Sequence, residues 1–407
     1  MKQTFPAHKR QHGFGLMELM VVIAIVLVMS LAIFGVMSTS EGKKRTLTSV
    51  NDINQSGNFA MFQLEKAVRN AGSGFSQSYL QSFGCQLYAS TTASGVILPF
   101  PGGTMAKPFD VLSKALGGSY VLAPMIIAKG MTTPKISGAT SDALIVMSGS
   151  AGYGEVPTAF TSTADAAQLN LQSTLSFNPS DLVLIADQAG ASGALPCMIE
   201  QVNPTFTAGV AGTALPLAGA YYANPIAAGS VSQSVTSYSN NALAMGIGNP
   251  TGNPPAFQLF GVGENNVLYQ YDLLQGGTPD TPIPTADGVF EMHALYGVDT
   301  DNDGKVDKWV DPSTAGYDYL TLESGTAAAN STLLTIKAIR LGLIMRTSLS
   351  EKAPVSPVAP ATTGPLTLFS DLGATLTFTR NLSTTEQNYR YRIIESTIPL
   401  RNSLLLN

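Results

Sequence analysis

One nine-residue segment of the chain has the residue types and the spacing of a calcium-binding loop. Residues 299–307 read DTDNDGKVD. The predicted ligands are the carboxylates at loop positions 1, 3, 5 and 9 and the backbone carbonyl at position 7, namely Asp299, Asp301, Asp303, Asp307 and Lys305. Alternation directs acidic side chains into one site, and Gly304 at position 6 permits the sharp turn that such loops make.

The loop departs from an EF-hand at position 12, where Val310 replaces the bidentate glutamate. The sequence therefore predicts a structural calcium site of the weaker, extracellular type. A solvated acidic turn between two strands is the alternative interpretation.

The chain contains few histidines that could take part in catalysis. Of the three histidines, His8 and His12 lie in the basic N-terminal stretch, which leaves only His293 for the rest. One histidine excludes a histidine-rich zinc site and a two-histidine iron site. His293 lies in an alternating segment, residues 288–299, as expected of a strand histidine. Nucleophile-elbow and phosphate-loop motifs are absent from the sequence, so we predict that the protein is not an enzyme.

The overall charge also excludes a class of partner. Charged residues make up 12% of the chain, about half the usual fraction, and the net charge is −5. A non-specific nucleic-acid binder needs a basic field, so we predict no nucleic-acid partner.

An apolar stretch near the N-terminus predicts a membrane helix. Residues 19–36 contain no charge, and as a helix they span roughly 27 Å, most of a bilayer core. The residues that follow contain no small-residue cleavage site, so we expect the segment to stay in the mature protein. Basic residues flank it on both sides, which leaves its orientation open by charge alone.

One acid, Glu18, stands at the start of this stretch. A carboxylate at membrane depth is costly unless it has a partner, which makes Glu18 a candidate functional residue. A carboxylate that simply reaches the water at headgroup level is the alternative.

The residues around Glu18 resemble the class III signal of type IV prepilins. Residues 12–19 read HGFGLMEL, with a basic leader before them and a hydrophobic helix after them. The resemblance implies that prepilin peptidase removes residues 1–13 by cutting between Gly13 and Phe14, and that Phe14 is then N-methylated. Cleavage there creates a free amine four residues before Glu18, and because each charge is costly alone at membrane depth, we expect Glu18 of one chain to pair with the amine of a neighbouring chain. The family more often has Thr-Leu-Ile between the Phe and the Glu; here residues 15–17 read GLM.

The remaining pattern predicts a helix followed by many strands. Small and apolar residues recur at three- and four-residue steps over residues 57–71, which indicates one buried helical face. We predict a transmembrane and assembly helix over 14–37, its amphipathic continuation over 38–72 with a possible interruption near Gly42, and a β-rich head over 73–407. Short apolar runs predict strands at 94–100, 142–148, 181–187, 197–202, 256–262, 266–274, 333–346, 374–380 and 389–396. Residues 203–255 and 350–366 are predicted to be long loops, and the fold class is α+β, pilin-like, with an antiparallel sheet.

Several short blocks resemble the PilW family of minor pilins in particular. These blocks are residues 64–72, 83–85, 181–202, 296–307, 336–346 and 396–402. The two cysteines, Cys85 and Cys197, both fall in the exported part, where an even count favours a disulfide. Two buried free thiols are the alternative.

The resemblance implies a minor pilin in a pilus-tip or priming complex that starts fibre assembly and supports adhesion and twitching motility. The expected partners are other minor pilins, the major pilin, a tip adhesin, prepilin peptidase and the inner-membrane assembly platform. We expect a single-pass inner-membrane protein before assembly and a surface location at the pilus tip afterwards. The alternatives are a type II secretion pseudopilin of the J type and a membrane-anchored surface module whose loops at 101–140 and 203–255 bind a ligand.

Overall fold

The computed structural model describes residues 15–132, 140–188, 194–228, 231–275, 281–350, 361–404 and 406. The chain divides into two compact units, Met1–Asp52 and Ile53–Asn407. The predicted leader, Gly13 and Phe14 lie outside the described residues.

The described part of the first unit is helical. It belongs to helix α1 (Leu16–Asn70), which continues through Gly42, where the sequence had suggested an interruption. Its apolar side chains face outward, and Leu31 and Phe34 are 73% and 70% exposed. Among the described residues, α1 is the one helix that is long and apolar enough to cross a membrane.

In the second unit, the last turns of α1 bury the predicted stripe. Ala60, Leu64 and Val68 are fully buried in the main hydrophobic core. The helix ends at Asn70, and Gly72 adopts a left-handed conformation with φ of 81°, which a C′ glycine accommodates without steric cost. The Asn402 side chain donates hydrogen bonds to the carbonyl oxygens of Asn70 and Ala71, which have no partner within the helix.

Four shorter α-helices, a series of strands and several 3-10 turns make up the rest of the described secondary structure. The helices are α2 (Tyr79–Ser82), α3 (Asp110–Ala115), α4 (Tyr319–Leu322) and α5 (Ala327–Thr335). The strands of the first half are β1 (Leu87–Thr91), β2 (Gly95–Leu98), β3 (Met125–Ala128), β4 (Ala143–Ser148), β5 (Thr158–Ala159), β6 (Gln168–Asn170), β7 (Leu182–Asp187), β8 (Leu195–Gln201), β9 (Ala214–Pro216), β10 (Ile226–Ala228) and β11 (Val231–Gln233). The strands of the second half are β12 (Leu243–Gly248), β13 (Ala256–Gly263), β14 (Val267–Asp272), β15 (Ile283–Asp287), β16 (Val289–Val298), β17 (Lys308–Val310), β18 (Ile336–Arg346), β19 (Leu366–Leu368), β20 (Phe378–Arg380) and β21 (Tyr391–Pro399).

Most strands belong to three larger sheets. Their strand orders are β2-β1-β8-β7-β12-β5, β15-β14-β13-β4-β3 and β17-β16-β18-β21. Three two-stranded sheets, β6-β9, β10-β11 and β19-β20, lie outside them. Pairing is antiparallel throughout these described sheets except between β1 and β8, which are parallel. The long helix and the antiparallel β-rich head confirm the predicted α+β, pilin-like class.

The four-stranded sheet is covered on both faces. On one face α1 approaches so closely that a Cβ atom at Gly57 would lie 2.5 Å from Ile394 Cδ1 and 3.0 Å from Met345 Cγ. On the other face the β19-β20 hairpin packs through a separate apolar cluster that includes Phe290, Ile344 and Leu368. The sheet is therefore the layer that connects α1 with the C-terminal hairpin.

Several of the predicted strands are strands in the structure, but their first and last residues differ from the prediction. The predicted strand 333–346 begins only at Ile336, because the preceding residues end α5. The predicted loop 203–255 was wrong where it contains β12, a strand paired with both β7 and β5. Gly246 and Gly248 make β12 look like a turn segment in the sequence, but β12 is buried by its neighbours.

Candidate functional site

The acidic loop brings three of its predicted ligands together. One carboxylate oxygen each from Asp299, Asp301 and Asp307 lies within 4.8 Å of the other two. Asp299 follows strand β16 and is 1% exposed, whereas Asp301 and Asp307 are exposed.

Backbone hydrogen bonds fix the shape of this loop. The Asp299 carboxylate accepts hydrogen bonds from the N–H groups of Asn302, at 2.7 Å, and Gly304, at 2.8 Å. Gly304 has φ of 84°, in the left-handed region that favours glycine, as the spacing predicted. Asp307 accepts from the N–H and the hydroxyl of Thr300, and these hydrogen bonds lower the pKa of Asp307.

Asp303 is not part of the group of three. Its Oδ2 atom lies 2.6 Å from Lys305 Nζ, and its Oδ1 atom accepts from the Lys305 N–H. The side-chain hydrogen bond from Lys305 lowers the pKa of Asp303, so this carboxylate already has a cationic partner.

The chemical type of the three grouped side chains fits calcium. Carboxylate oxygens are the hard ligands that Ca²⁺ prefers, and the group contains neither sulfur nor nitrogen. Three carboxylates from one short loop can hold such an ion together with carbonyl oxygens and water.

The two cysteines form a disulfide in the structure. Cys85 and Cys197 have Cα atoms 5.4 Å apart and are separated by 112 residues in the chain. Both are buried, and the bond connects the residue two positions before β1 to strand β8. In the chain-entropy account a loop of this length contributes about 4–5 kcal/mol to stability.

His293 belongs to a buried ionic network that the sequence did not reveal. Its Nδ1 atom lies 3.6 Å from Asp142 Oδ1, and its Nε2 atom lies 3.3 Å from Glu291 Oε2. Arg380 in turn pairs with Glu291 at 2.8 Å and with Glu386 at 2.7 Å. The network therefore spans β16, β20 and the segment that precedes β4.

The carboxylates decide the charge of this histidine. Burial alone lowers the pKa of His293, but Asp142 and Glu291 outweigh burial and raise the pKa to about 9. Phe378 of the hairpin stacks on the imidazole ring, with the ring centroids 3.7 Å apart. The imidazole is therefore held between two carboxylates and an aromatic ring.

Glu18 lies in the first turn of α1 and is exposed. Its N–H donates to the carbonyl oxygen of Gly15 at 3.0 Å, and its carboxylate forms no ion pair within the described part of the chain.

Two family models match the chain, one over the start of helix α1 and one over a region that contains the four-stranded sheet. Residues 259–402 match the family described as Type IV Pilus-assembly protein W, and residues 8–38 match the Prokaryotic N-terminal methylation motif. No curated protein and no solved structure matches the chain.

The apolar helix with its methylation motif defines a pilin-like, membrane-anchored protein. The match over residues 259–402 confirms the resemblance to the PilW family stated from the sequence. The two matches support a pilin-like role in a type IV pilus and suggest interaction with other pilus components. Membership of a pilin family suggests that the protein has a structural role.

The raised pKa of His293 predicts a specific pH dependence of stability. Because His293 is protonated in the fold below about pH 9 but titrates near 6.5 when unfolded, its contribution is complete below pH 6.5 and is lost as the pH rises through 9. His293→Gln should lower the free energy of unfolding at pH 6.5 by on the order of 3 kcal/mol and flatten the decline between pH 6.5 and 9.5.

Urea unfolding of the full chain in detergent micelles, followed by the fluorescence of the single tryptophan, Trp309, measures both effects. Parallel pH profiles for the two proteins would contradict a protonated His293. Asp110→Asn, a change outside the network, serves as the control.

Proposed function

We propose that this protein is a minor pilin of a type IV pilus, acting without catalysis in the tip complex that primes fibre assembly and supporting adhesion and twitching motility. The observation that carries the proposal is the pair of family matches: a methylation motif over residues 8–38 and a PilW-type region over residues 259–402. The PilW-type region includes the sheet that packs against the end of α1.

The size of the second unit supports an end position. Ile53–Asn407 forms a bulky head with three larger sheets. A subunit of this size is accommodated more easily at the end of a fibre than repeated along it. The proposed partners are other minor pilins, the major pilin and a tip adhesin, and the proposed path is from the inner membrane through the assembly platform to the pilus surface.

We propose that three residues take part in processing and assembly. Prepilin peptidase cuts between Gly13 and Phe14, and Phe14 becomes the methylated N-terminus. The new amine at Phe14 stands four residues before Glu18 in the sequence, at the start of the apolar segment, where each charge is costly alone. A neighbouring chain displaced along the helix axis offers its own Glu18 to the amine, so the pair also fixes the axial register.

Mass spectrometry of sheared surface fibres and of the membrane fraction tests this function. We expect an N-terminal peptide that begins at methylated Phe14, present in the fibres at a low ratio to the major pilin. Correct processing without incorporation into fibres would indicate a type II secretion pseudopilin instead. An uncleaved N-terminus would overturn the assignment of the leader.

Replacement of Glu18 tests its role in assembly. Glu18→Ala should leave membrane insertion and cleavage intact, because the apolar segment and the cleavage site are unchanged, but should reduce incorporation into fibres at least tenfold. Glu41→Ala, at an exposed position of the same helix outside the apolar segment, is the matched control. Normal incorporation of Glu18→Ala would remove Glu18 from the mechanism.

We also propose that Asp299, Asp301 and Asp307 hold a structural calcium ion. At a concentration ten times its Kd, calcium should raise the stability of the native chain by about 1.4 kcal/mol relative to chelator. Asp301→Asn should abolish this increase, because it removes one carboxylate charge from the group.

Thermal unfolding with calcium and with chelator measures the response. Asp303→Asn is the matched control in the same loop, since Asp303 pairs with Lys305, and it should keep the response. Identical melting temperatures of the native chain in the two conditions would contradict the site, and loss of the response in Asp303→Asn would contradict the set of three ligands.

A further inference from the structure

The last strand of the four-stranded sheet leaves one of its edges open. The sheet has the order β17-β16-β18-β21, so β21 (Tyr391–Pro399) has a neighbouring strand on one side only. With nine residues, β21 is the longest edge strand of the three larger described sheets. The next longest, β15, has five residues, contains Pro284 and pairs with a register shift, whereas all nine residues of β21 pair with β18 without a shift. The open edge is therefore long and regular.

The pairing pattern shows which backbone groups face this open edge. In an antiparallel pair, residues that bond the neighbouring strand with both N–H and C=O alternate with residues whose two groups point away from it. Just beyond the ends of β21, the Leu400 N–H donates to the Lys337 carbonyl oxygen, and the Arg390 carbonyl oxygen accepts from the Thr347 N–H. Even-numbered residues of β21 therefore bond β18, and the N–H and C=O groups of its odd-numbered residues point outward.

The outward backbone groups have no partner in the described ranges. Outward N–H groups belong to Tyr391, Ile393, Glu395 and Thr397, and the outward carbonyl oxygens belong to the same four residues and to Pro399. None of these backbone groups hydrogen-bonds another described residue, and Ile393, Thr397 and Pro399 are exposed. Such a row of unpaired donors and acceptors is a template for a further strand.

The middle of the edge lacks the features by which proteins usually prevent such pairing. Edge strands are commonly protected by proline, by a β-bulge or by free charged side chains. Between Ile393 and Thr397 there is no proline and no bulge, and the one charged side chain, Glu395, is already paired with Arg340 at 2.8 Å. Ile393 is 37% exposed, so this stretch also presents an apolar side chain.

Unpaired arginines lie at both ends of the edge. Arg392 in β21 and Arg401, two residues past its end, are exposed, and neither forms an ion pair with a described residue. The neighbouring carboxylate of Glu65, which accepts a hydrogen bond from Ser396, is paired with Arg69 instead. A strand with carboxylates near both of its ends complements this edge, because opposite charges on paired strands attract.

A second copy of this chain does not complement the edge in this way. Antiparallel pairing of two β21 strands would bring Arg392 of one copy towards Arg401 of the other at each end. Like charges at such positions are destabilising, and the Glu395 carboxylate of β21 is already paired. The charges therefore favour a strand from a different chain.

We propose that β21 is a docking edge to which an extended, acidic segment of another protein adds as a fifth strand. The backbone of that segment pairs with the outward groups of Ile393, Glu395 and Thr397, and its carboxylates pair with the arginines at the two ends. This interaction depends on the sheet edge alone, so its test is independent of the proposed pilin function.

Fluorescence anisotropy of labelled eleven-residue peptides with the full chain in detergent micelles tests the proposal. One peptide is rich in threonine and valine and has a glutamate near each end, and the other has lysines in place of the glutamates. We expect the glutamate peptide to bind and the lysine peptide to bind at least tenfold more weakly. Equal binding of the two peptides, or no binding of the glutamate peptide, would overturn the proposal.

Matched variants at one position locate the added strand. Ile393→Pro removes an outward N–H and leaves the hydrogen bonds between β21 and β18 in place, so it should weaken binding of the glutamate peptide at least tenfold. Ile393→Thr keeps that N–H and should bind the peptide within threefold of the native chain. Unchanged binding by Ile393→Pro would contradict strand addition at this edge.

Charge variants test the ends of the edge without changing the backbone. Arg392→Gln and Arg401→Gln should each weaken binding of the glutamate peptide at least threefold, and Lys114→Gln, an exposed position in α3, should change nothing. Unchanged binding by both arginine variants would contradict an acidic partner. Sedimentation of the native chain tests the alternative occupant, since a concentration-dependent dimer that Ile393→Pro abolishes would assign the edge to a second copy and overturn the proposed partner.

Discussion

The packing of α1 on the C-terminal sheet is the contact on which the arrangement of the head depends. Ala60, Leu64 and Val68 are fully buried, and Gly57 lets the helix approach Met345 and Ile394 on neighbouring strands of that sheet. Interiors are close-packed, so a single added methyl group at such a contact must displace its neighbours. Residues 53–70 and residues 336–399, distant in the chain, thus share one apolar interface.

Polar contacts complete this interface at its edges. Ser396 of β21 donates a hydrogen bond to Glu65 of α1, and Asn402 pairs with the last carbonyl groups of the helix. The Asn402 amide also donates to the carbonyl oxygen of buried Ala71, and it adds a second donor at the Asn70 carbonyl oxygen, which accepts from the Ser73 N–H as well. Ser396 and Asn402 lie within the PilW-type match, whereas Glu65 and the end of α1 precede it, so these contacts join the matched region to the helix within one compact unit.

Electrostatics fixes the other side of the same sheet. Asp142, Glu291 and His293 are buried together, and Arg380 joins them from the hairpin strand β20. Buried charges are stable only when paired, so the hairpin cannot shift along the sheet without leaving a charge uncompensated. The network therefore specifies where the hairpin docks, and the surrounding apolar cluster supplies the burial.

The sequence alone determined the features that depend on residues close together in the chain. Several predictions rest on local patterns, and the structure has the corresponding elements. These patterns are the uncharged run 19–36, the helical stripe that ends at Gly72, the spacing of the acidic loop and the apolar runs typical of strands, such as 256–262. Only the tertiary structure decided which distant groups meet. It placed β12 inside a sheet despite its glycines, made β1 and β8 parallel, and gave His293 its carboxylate partners. It also set Asp303 beside Lys305 while grouping the other three acids. The reason is that strand pairing and ion pairing depend on separation in space, which periodicity along the chain does not encode.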